Sequence, residues 1–282
     1  MTQMQGRTVV MTGATSGVGA AAALKLAALG ARIVFVARDA TRAKATLAEL
    51  EAAAPGLDHR AHIADLSLVA EARRAGETIA AGEPRIDVLI NNAGAVFSRR
   101  RVTAEGLEMT FALNHMAYFV LTQALRGRLV ASAPARIVST ASAAHAGARL
   151  AFDDLQCARD YSGMRAYRRS KLANILFTRE LARRLAGTGV TANCLHPGFV
   201  ASRFGDGTGG ALGWAFALGK RVAAISPQAG ADTLVYLASA PEAAGVSGEY
   251  FVKRRPAKPS AAARDKAAAS RLWEASEAIA QA

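Results

Sequence analysis

Short apolar, β-branched runs alternate along the chain with longer stretches of helical periodicity. "RTVVMTG" (7–13), "RIVFVAR" (32–38), a run within "DHRAHIADL" (58–66), "RIDVLINNAG" (85–94), "ARIVSTAS" (135–142), "VTANCLHPG" (190–198) and "GEYFV" (248–252) predict strands. Between them, 18–30, 41–54, 68–81, a long segment over about 103–131, 164–186 and 227–239 predict helices, the first two ending at Gly30 and Pro55. Strands that are apolar throughout and separated by helices pair in parallel, with helices over both faces. "SRLWEASEAI" (270–279) predicts a terminal helix docked through Leu272 and Trp273, at the end of a basic tail over about 253–282. The Gly-rich stretch 198–226 shows no clear element and predicts a loop or substrate lid. No repeat or linker divides the chain, so residues 1–282 are expected to form a single doubly wound α/β domain of about seven parallel strands.

Composition narrows the class. Hydrophobic residues make up 51% of the 282, ample for a buried core. The longest strongly apolar run, 210–219, is too short to span a bilayer and is followed by Lys220 and Arg221. The start of the chain lacks a signal-peptide layout, so a soluble, cytoplasmic protein with no membrane span is expected. Cys157 and Cys194 give neither a disulfide framework nor metal spacing. The five histidines (His59, His62, His115, His145 and His196) fall on different elements without a zinc pattern, so no metal is expected. The net charge of +13 raises the question of nucleic acid. The basic clusters are scattered and no aromatics interleave with them, so a nucleic-acid partner is not expected. Solvated faces and attraction for a polyphosphate cofactor account for the charge more simply.

"TGATSGVG" (12–19) lies between the first strand and the first helix, with Gly13, Gly17 and Gly19 spaced G-x-x-x-G-x-G. Glycines permit a tight turn and close backbone approach to a pyrophosphate, and the helix N-terminus offers unpaired N–H groups. The turn, with Thr15, Ser16 and Val18 between and beside its glycines, is therefore a candidate dinucleotide site. At the end of the second strand stands "VARDA": Ala37 carries no carboxylate for a ribose hydroxyl, and Arg38 suits a 2′-phosphate. Asp39 argues the other way, since it falls about where an acid selecting NAD is expected. With Ala37 closing the strand, NADP(H) is the preferred cofactor and NAD(H) the alternative.

"YRRSK" (167–171) places Tyr167 four residues before Lys171, on one face of a predicted helix. Taken in order, "TGATSGVG", "DL" (65–66), "NNAG" (91–94), Asn114, Ser142, "YRRSK" and "HPG" (196–198) resemble the short-chain dehydrogenases/reductases over nearly the whole chain. "SAAH" (142–145), "YRRSKLAN", "HPGFVAS", "GVSGEYF" and the C-terminal segment are similar to the retinol dehydrogenase-like branch.

The resemblance implies a Rossmann sheet of order 3-2-1-4-5-6-7. It makes Tyr167 the general acid/base, with Lys171 lowering its pKa and holding the nicotinamide ribose, Ser142 holding the substrate oxygen and Asn114 anchoring a relay water. It also implies cofactor contacts at Asp65, Leu66, Asn91, Ala93, Gly94, Pro197, Gly198, Val200 and Ser202. An N-cap role for Asp65 and a turn-capping role for Asn91 stand beside these. Tyr161 with Arg165, and the hydroxyls of Ser139 and Thr140, are decoys for the same roles. An apolar mouth built from Leu150, Phe152, Phe199, Phe204, Trp214 and Phe216, with His145 beside it, is expected to take a small lipophilic aldehyde, ketone or alcohol. The same aromatic residues could instead pack the lid on the core. Members of the family occur as monomers and as homo-oligomers. Two other readings are a nucleotide sensor without turnover and a nucleic-acid-associated protein.

Overall fold

The computed structural model describes residues 3–198 and 225–282. Strands β1 (Thr8–Thr12), β2 (Arg32–Ala37), β3 (Arg60–Ile63), β4 (Val88–Asn91), β5 (Ala135–Thr140), β6 (Val190–His196), β7 (Tyr250–Val252) and β8 (Arg255–Pro256) form one sheet of order β3-β2-β1-β4-β5-β6-β7-β8. The first seven pair in parallel, as the doubly apolar strands require. Val9 and Met11 of β1 point into the cluster beneath α1 (Gly17–Ala28) and α2 (Ala40–Ala53). Val10 points to the opposite cluster, built with α3 (Val69–Gly82), α4 (Ala117–Ala131) and α5 (Gly163–Arg184).

The eighth strand was not anticipated. Lys253 and Arg254 both take positive φ, at 49° and 63°, and make a two-residue turn that pairs Val252 with Arg255 in antiparallel fashion. Positive φ is unfavourable for side chains of this size. The turn is tied down: the Arg254 N–H donates to Thr233 Oγ1 at 3.1 Å and its guanidinium meets Asp232 at 3.1 Å.

The helix expected over 103–131 starts later. Gly106, at φ 79°, closes a turn in which the Thr103 N–H donates to the Leu107 carbonyl. Glu108 then caps the helical turn Met109–Phe111, accepting from the Thr110 and Phe111 N–H groups at 2.9 and 2.8 Å. A π-helical turn, Ala112–Met116, joins it to α4. The helix expected over 227–239 is a helical turn, Pro227–Gly230, followed by α6 (Asp232–Ser239).

The terminal helix, α7 (Lys266–Gln281), docks on α5 through Leu272 and Trp273, both buried. Trp273 stacks on Phe177 with ring centroids 5.9 Å apart and takes the Arg184 guanidinium at 4.4 Å from its own centroid.

Candidate active site

The carboxyl ends of β1, β4 and β5 converge, and one residue knits them. The Asn92 side-chain amide donates to the carbonyls of Thr12 and Gly13, both at 3.4 Å, while its Oδ1 accepts from Thr140 Oγ1 at 3.1 Å. The backbone N–H groups of Asn92 and Ala93 donate to Thr12 Oγ1 at 2.9 and 3.0 Å. The sequence reading singled out the neighbours of Asn92 and passed over it. Its polar side chain in a turn between two apolar strand ends was the available signal.

This lattice sets the shape of the glycine turn. A Cβ on Gly19 would lie 2.0 Å from the Gly13 carbonyl oxygen and 2.5 Å from Asn92 Nδ2, so only glycine fits. Gly13 and Gly17 take φ of 72° and 58°. Ser16 occupies the N-cap of α1 and its hydroxyl makes no capping bond, so it is not consumed by the helix end. Thr15 and Val18 are half-buried beside it. A backbone cradle without Cβ atoms, at an uncapped helix start, fits a dinucleotide pyrophosphate. At the end of β2, Ala37 closes the strand and Arg38 is exposed, without hydrogen bond or ion pair among the described residues. Asp39 is the N-cap of α2: its Oδ1 accepts from the Arg42 N–H at 3.0 Å, and that bond holds its carboxyl below the usual range.

The remaining cofactor candidates divide. Asp65 Oδ1 accepts from the Ser67 N–H and hydroxyl at 3.0 and 2.7 Å, so its carboxylate turns the chain into α3, while Leu66 is buried in the core. Asn91 has no exposed side chain; its amide donates to Thr122 Oγ1 at 3.0 Å on the α4 side. Ala93 packs against the same core. Gly94 lies beside Asn114 and Lys171: a Cβ there would meet Asn114 Oδ1 at 3.1 Å and Lys171 Nζ at 3.5 Å. Pro197 and Gly198 follow β6, with Gly198 at φ 93° against Ile225. Val200, Ser202, Phe199, Phe204, Trp214 and Phe216 lie outside the described residues, with most of the expected lid.

Tyr167, Lys171 and Ser142 come together as the resemblance implies. Ser142 precedes a short 3₁₀ turn, and its Oγ accepts from the Ala144 N–H at 3.1 Å. The Ser142 hydroxyl also acts on that of Tyr167, pulling its pKa down, which separates Ser142 from the decoys. Ser139 Oγ is buried without a partner among the described residues, and Thr140 Oγ1 is committed to Asn92. Lys171 is 3% exposed and donates from Nζ to the Thr140 carbonyl at 2.9 Å. Its ammonium lies 5.8 Å from the Tyr167 ring centroid and 5.7 Å from that of Tyr118.

The electrostatics correct one expectation. The tyrosine residue is half-buried, but its hydroxyl sits among densely packed protein, and that burial pushes it up to about 12. The Ser142 hydroxyl is the influence pulling it down. Burial also lowers Lys171 to about 7. In the protein alone, desolvation outweighs the lowering of Tyr167 that the sequence reading assigned to Lys171.

The surroundings of two further candidates, Asn114 and His145, constrain their roles. Asn114 stands in the π-helical turn with both side-chain polar atoms committed. Oδ1 accepts from the Ala95 N–H at 2.8 Å, and Nδ2 donates to the Ala95 carbonyl and to Ser170 Oγ at 2.9 and 3.0 Å. Its side chain therefore holds the Gly94–Ala95 turn against α5, and a relay water would have to hang on its main chain. His145, expected at the substrate, is buried and holds the chain together. Its Nε2 accepts from the Ser260 N–H at 3.2 Å, which leaves Nδ1 to donate to the Ser142 carbonyl at 2.6 Å. Tyr161, rejected as a catalyst, donates to the Phe97 carbonyl at 2.8 Å. Leu150 and Phe152, expected at the mouth, pack with the cluster that includes Leu172 and Leu272.

The family model described as short chain dehydrogenase matches residues 7–210. Retinol dehydrogenase 14 of Mus musculus is 40% identical over 293 residues, spanning 97% of this chain and 86% of its own. Retinol dehydrogenase 13 of Homo sapiens is 40% identical over 273 residues, covering 95% and 82%. Among solved structures, a short chain dehydrogenase from Burkholderia cenocepacia J2315 in complex with NADP superposes with a TM-score of 0.70 at 30% identity, covering 88% of this chain and 96% of the other.

Proposed function

Because the chain belongs to the short-chain dehydrogenase/reductase family, in its retinol dehydrogenase-like branch, we propose that it is an NADP(H)-preferring oxidoreductase interconverting a lipophilic aldehyde or ketone and its alcohol. The observation that carries this is the meeting of Ser142 and Lys171 at Tyr167, with the ammonium 5.8 Å from the tyrosine ring centroid, at the edge of a glycine cradle. Gly13, Gly17 and Gly19 would hold the pyrophosphate of a nicotinamide dinucleotide, which would supply the hydride. Ser142 and Tyr167 hold the carbonyl oxygen between their hydroxyls, and Tyr167 gives that oxygen its proton. With its pKa at about 12, Tyr167 is fully protonated near neutrality and is loaded for reduction. Positive charge on Lys171 stabilises the phenolate that forms as that proton leaves.

Arg38 supports the preference for the 2′-phosphate, because it is exposed and makes no ion pair within 4.0 Å among the described residues, while Asp39 is occupied in capping α2. Among the described residues no helix is long and apolar enough to cross a membrane, and this reading keeps the cytoplasmic assignment. The experiment is consumption of NADPH and NADH against a panel of lipophilic aldehydes and ketones, wild type beside Tyr167→Phe. We expect NADPH turnover to fall by about 10²–10⁴ in the variant while NADPH binding, followed by fluorescence, persists. Turnover unaffected by Tyr167→Phe refutes the assignment.

A further inference from the structure

A cleft of about 450 Å³ opens between the loop after the Ser142 turn and the first turns of α5, lined by Arg149, Ser162, Met164, Arg165, Arg168 and Arg169 among others. It is lined by arginines that the apolar mouth expected from the sequence does not include. Four arginines line one space, and one of them, Arg165, has a carboxylate partner, Asp160. Arg149, Arg168 and Arg169 have no carboxylate within 4.0 Å among the described residues. Arg168 is aimed by neutral groups: its Nε and Nη2 donate to the carbonyls of Ala144 and Ala146 at 3.2 and 2.6 Å. Arg169 donates to the Asp154 carbonyl at 3.2 Å. These bonds fix the two guanidiniums in place without a carboxylate contact, although Asp153 feels the Arg169 charge. Gly147, at φ 73°, makes the room, since a Cβ there would lie 2.9 Å from Arg168 Nη2. Ser162 adds a hydroxyl that caps nothing.

Clustered guanidiniums repel one another, and planar forks match carboxylate and phosphate. The cleft is also close to the chemistry. Met164 and Arg168 stand three residues before and one after Tyr167 on α5, so the cleft is within about one helical turn, ~5.4 Å of rise, of the catalytic tyrosine. On its other side the lining loop continues directly from the Ser142–His145 turn.

We propose that this cleft binds the anionic end, a carboxylate or phosphate, of an amphipathic carbonyl substrate. The inference rests on the oxidoreductase reading above and narrows its substrate class. It is tested with 12-oxododecanoate and its methyl ester as paired substrates under NADPH, on wild type, Arg149→Gln and Arg149→Lys. Arg149 is exposed and makes no hydrogen bond among the described residues, so the fold does not depend on it. Wild type should favour the carboxylate in kcat/KM by about tenfold or more, as a charge-assisted hydrogen bond implies. Arg149→Gln should lose about that factor through KM on the carboxylate alone, with Arg149→Lys in between. Equal use of the two substrates by wild type, or an equal loss on both in Arg149→Gln, overturns the proposal.

A second arm needs no turnover. Dodecanoate and inorganic phosphate are titrated calorimetrically into protein saturated with NADP+, which fills the dinucleotide site. Dodecanoate binding that weakens in Arg149→Gln upholds the cleft, even if neither aldehyde is reduced and the reaction itself has to be reassigned. Absence of Arg149-dependent binding overturns the cleft whatever the activity. Inorganic phosphate binding as tightly as dodecanoate overturns the idea that the anion belongs to the substrate.

Discussion

Replacing Lys171 by methionine should abolish activity and, at acid pH, make the ligand-free protein more stable. The ammonium is 3% exposed, and its pKa is held at about 7 against an ordinary 10.5. At about 1.4 kcal/mol per tenfold change in proton affinity, keeping it charged in the folded protein costs about 5 kcal/mol. Below pH ~7 both folded and unfolded chains carry the proton and the whole penalty is present. Between about 7 and 10.5 the unfolded chain holds a proton that the folded one lacks, so stability rises with pH, and above 10.5 the penalty is gone. Methionine removes the penalty but leaves the Thr140 carbonyl without the Nζ donor now 2.9 Å away, which costs about 1–3 kcal/mol. The net expectation is a gain of about 2–4 kcal/mol at pH ~6. At pH ~9.5 only about 1.4 kcal/mol of penalty remains, and the lost hydrogen bond cancels it. Urea unfolding of both proteins at the two pH values gives the difference between the two gains. The hydrogen-bond loss drops out of that difference, which should be about 3 kcal/mol. A Lys171→Met effect equal at both pH values refutes the claim that the lysine is a desolvated charge, whatever its sign.

Three other substitutions probe the cradle and the core. Gly19→Ala forces a Cβ against the Gly13 carbonyl oxygen at 2.0 Å, so NADPH affinity by fluorescence titration should fall at least about tenfold; unchanged affinity contradicts the cradle. Arg38→Ala should raise KM for NADPH by about tenfold or more and leave NADH unaffected, measured as the ratio of kcat/KM for the two cofactors. Trp273→Ala removes the ring stacked on Phe177 and should cost about 3–5 kcal/mol in urea unfolding, with Tyr167-dependent chemistry intact in the folded fraction.

Most strands were legible because apolar runs buried on both faces leave a clear trace, the half-exposed edge strand β3 with Arg60 and His62 being the exception, and their parallel order followed from the helices between them. The eighth strand was not, because its turn uses Lys253 and Arg254 where turn chemistry leads one to look for asparagine or glycine. The start of the helix before Asn114 was misplaced for a related reason: apolar spacing runs through 103–108, but the Gly106 turn and the Glu108 cap override it. At the site, spacing and motif order named the residues that meet. They did not name Asn92, whose partners Thr12 and Thr140 lie 80 and 48 residues away. Nor did they show what the meeting does to charge. Tyr167 and Lys171 were expected to draw each other toward tyrosinate and ammonium, yet burial moves both toward their neutral forms. Helical spacing says which side chains share a face; it does not say how much water that face keeps. Water decides the sign here, because a pair of opposite charges in the interior repays its desolvation only with close geometry and further hydrogen bonds. The Lys171 ammonium has the Thr140 carbonyl and two aromatic rings, and no carboxylate among the described residues within 4.0 Å. The protein alone therefore holds a protonated tyrosine over a lysine that is half-charged at neutral pH. That arrangement donates a proton more readily than it accepts one, and it places the burden of charging the site on whatever binds there.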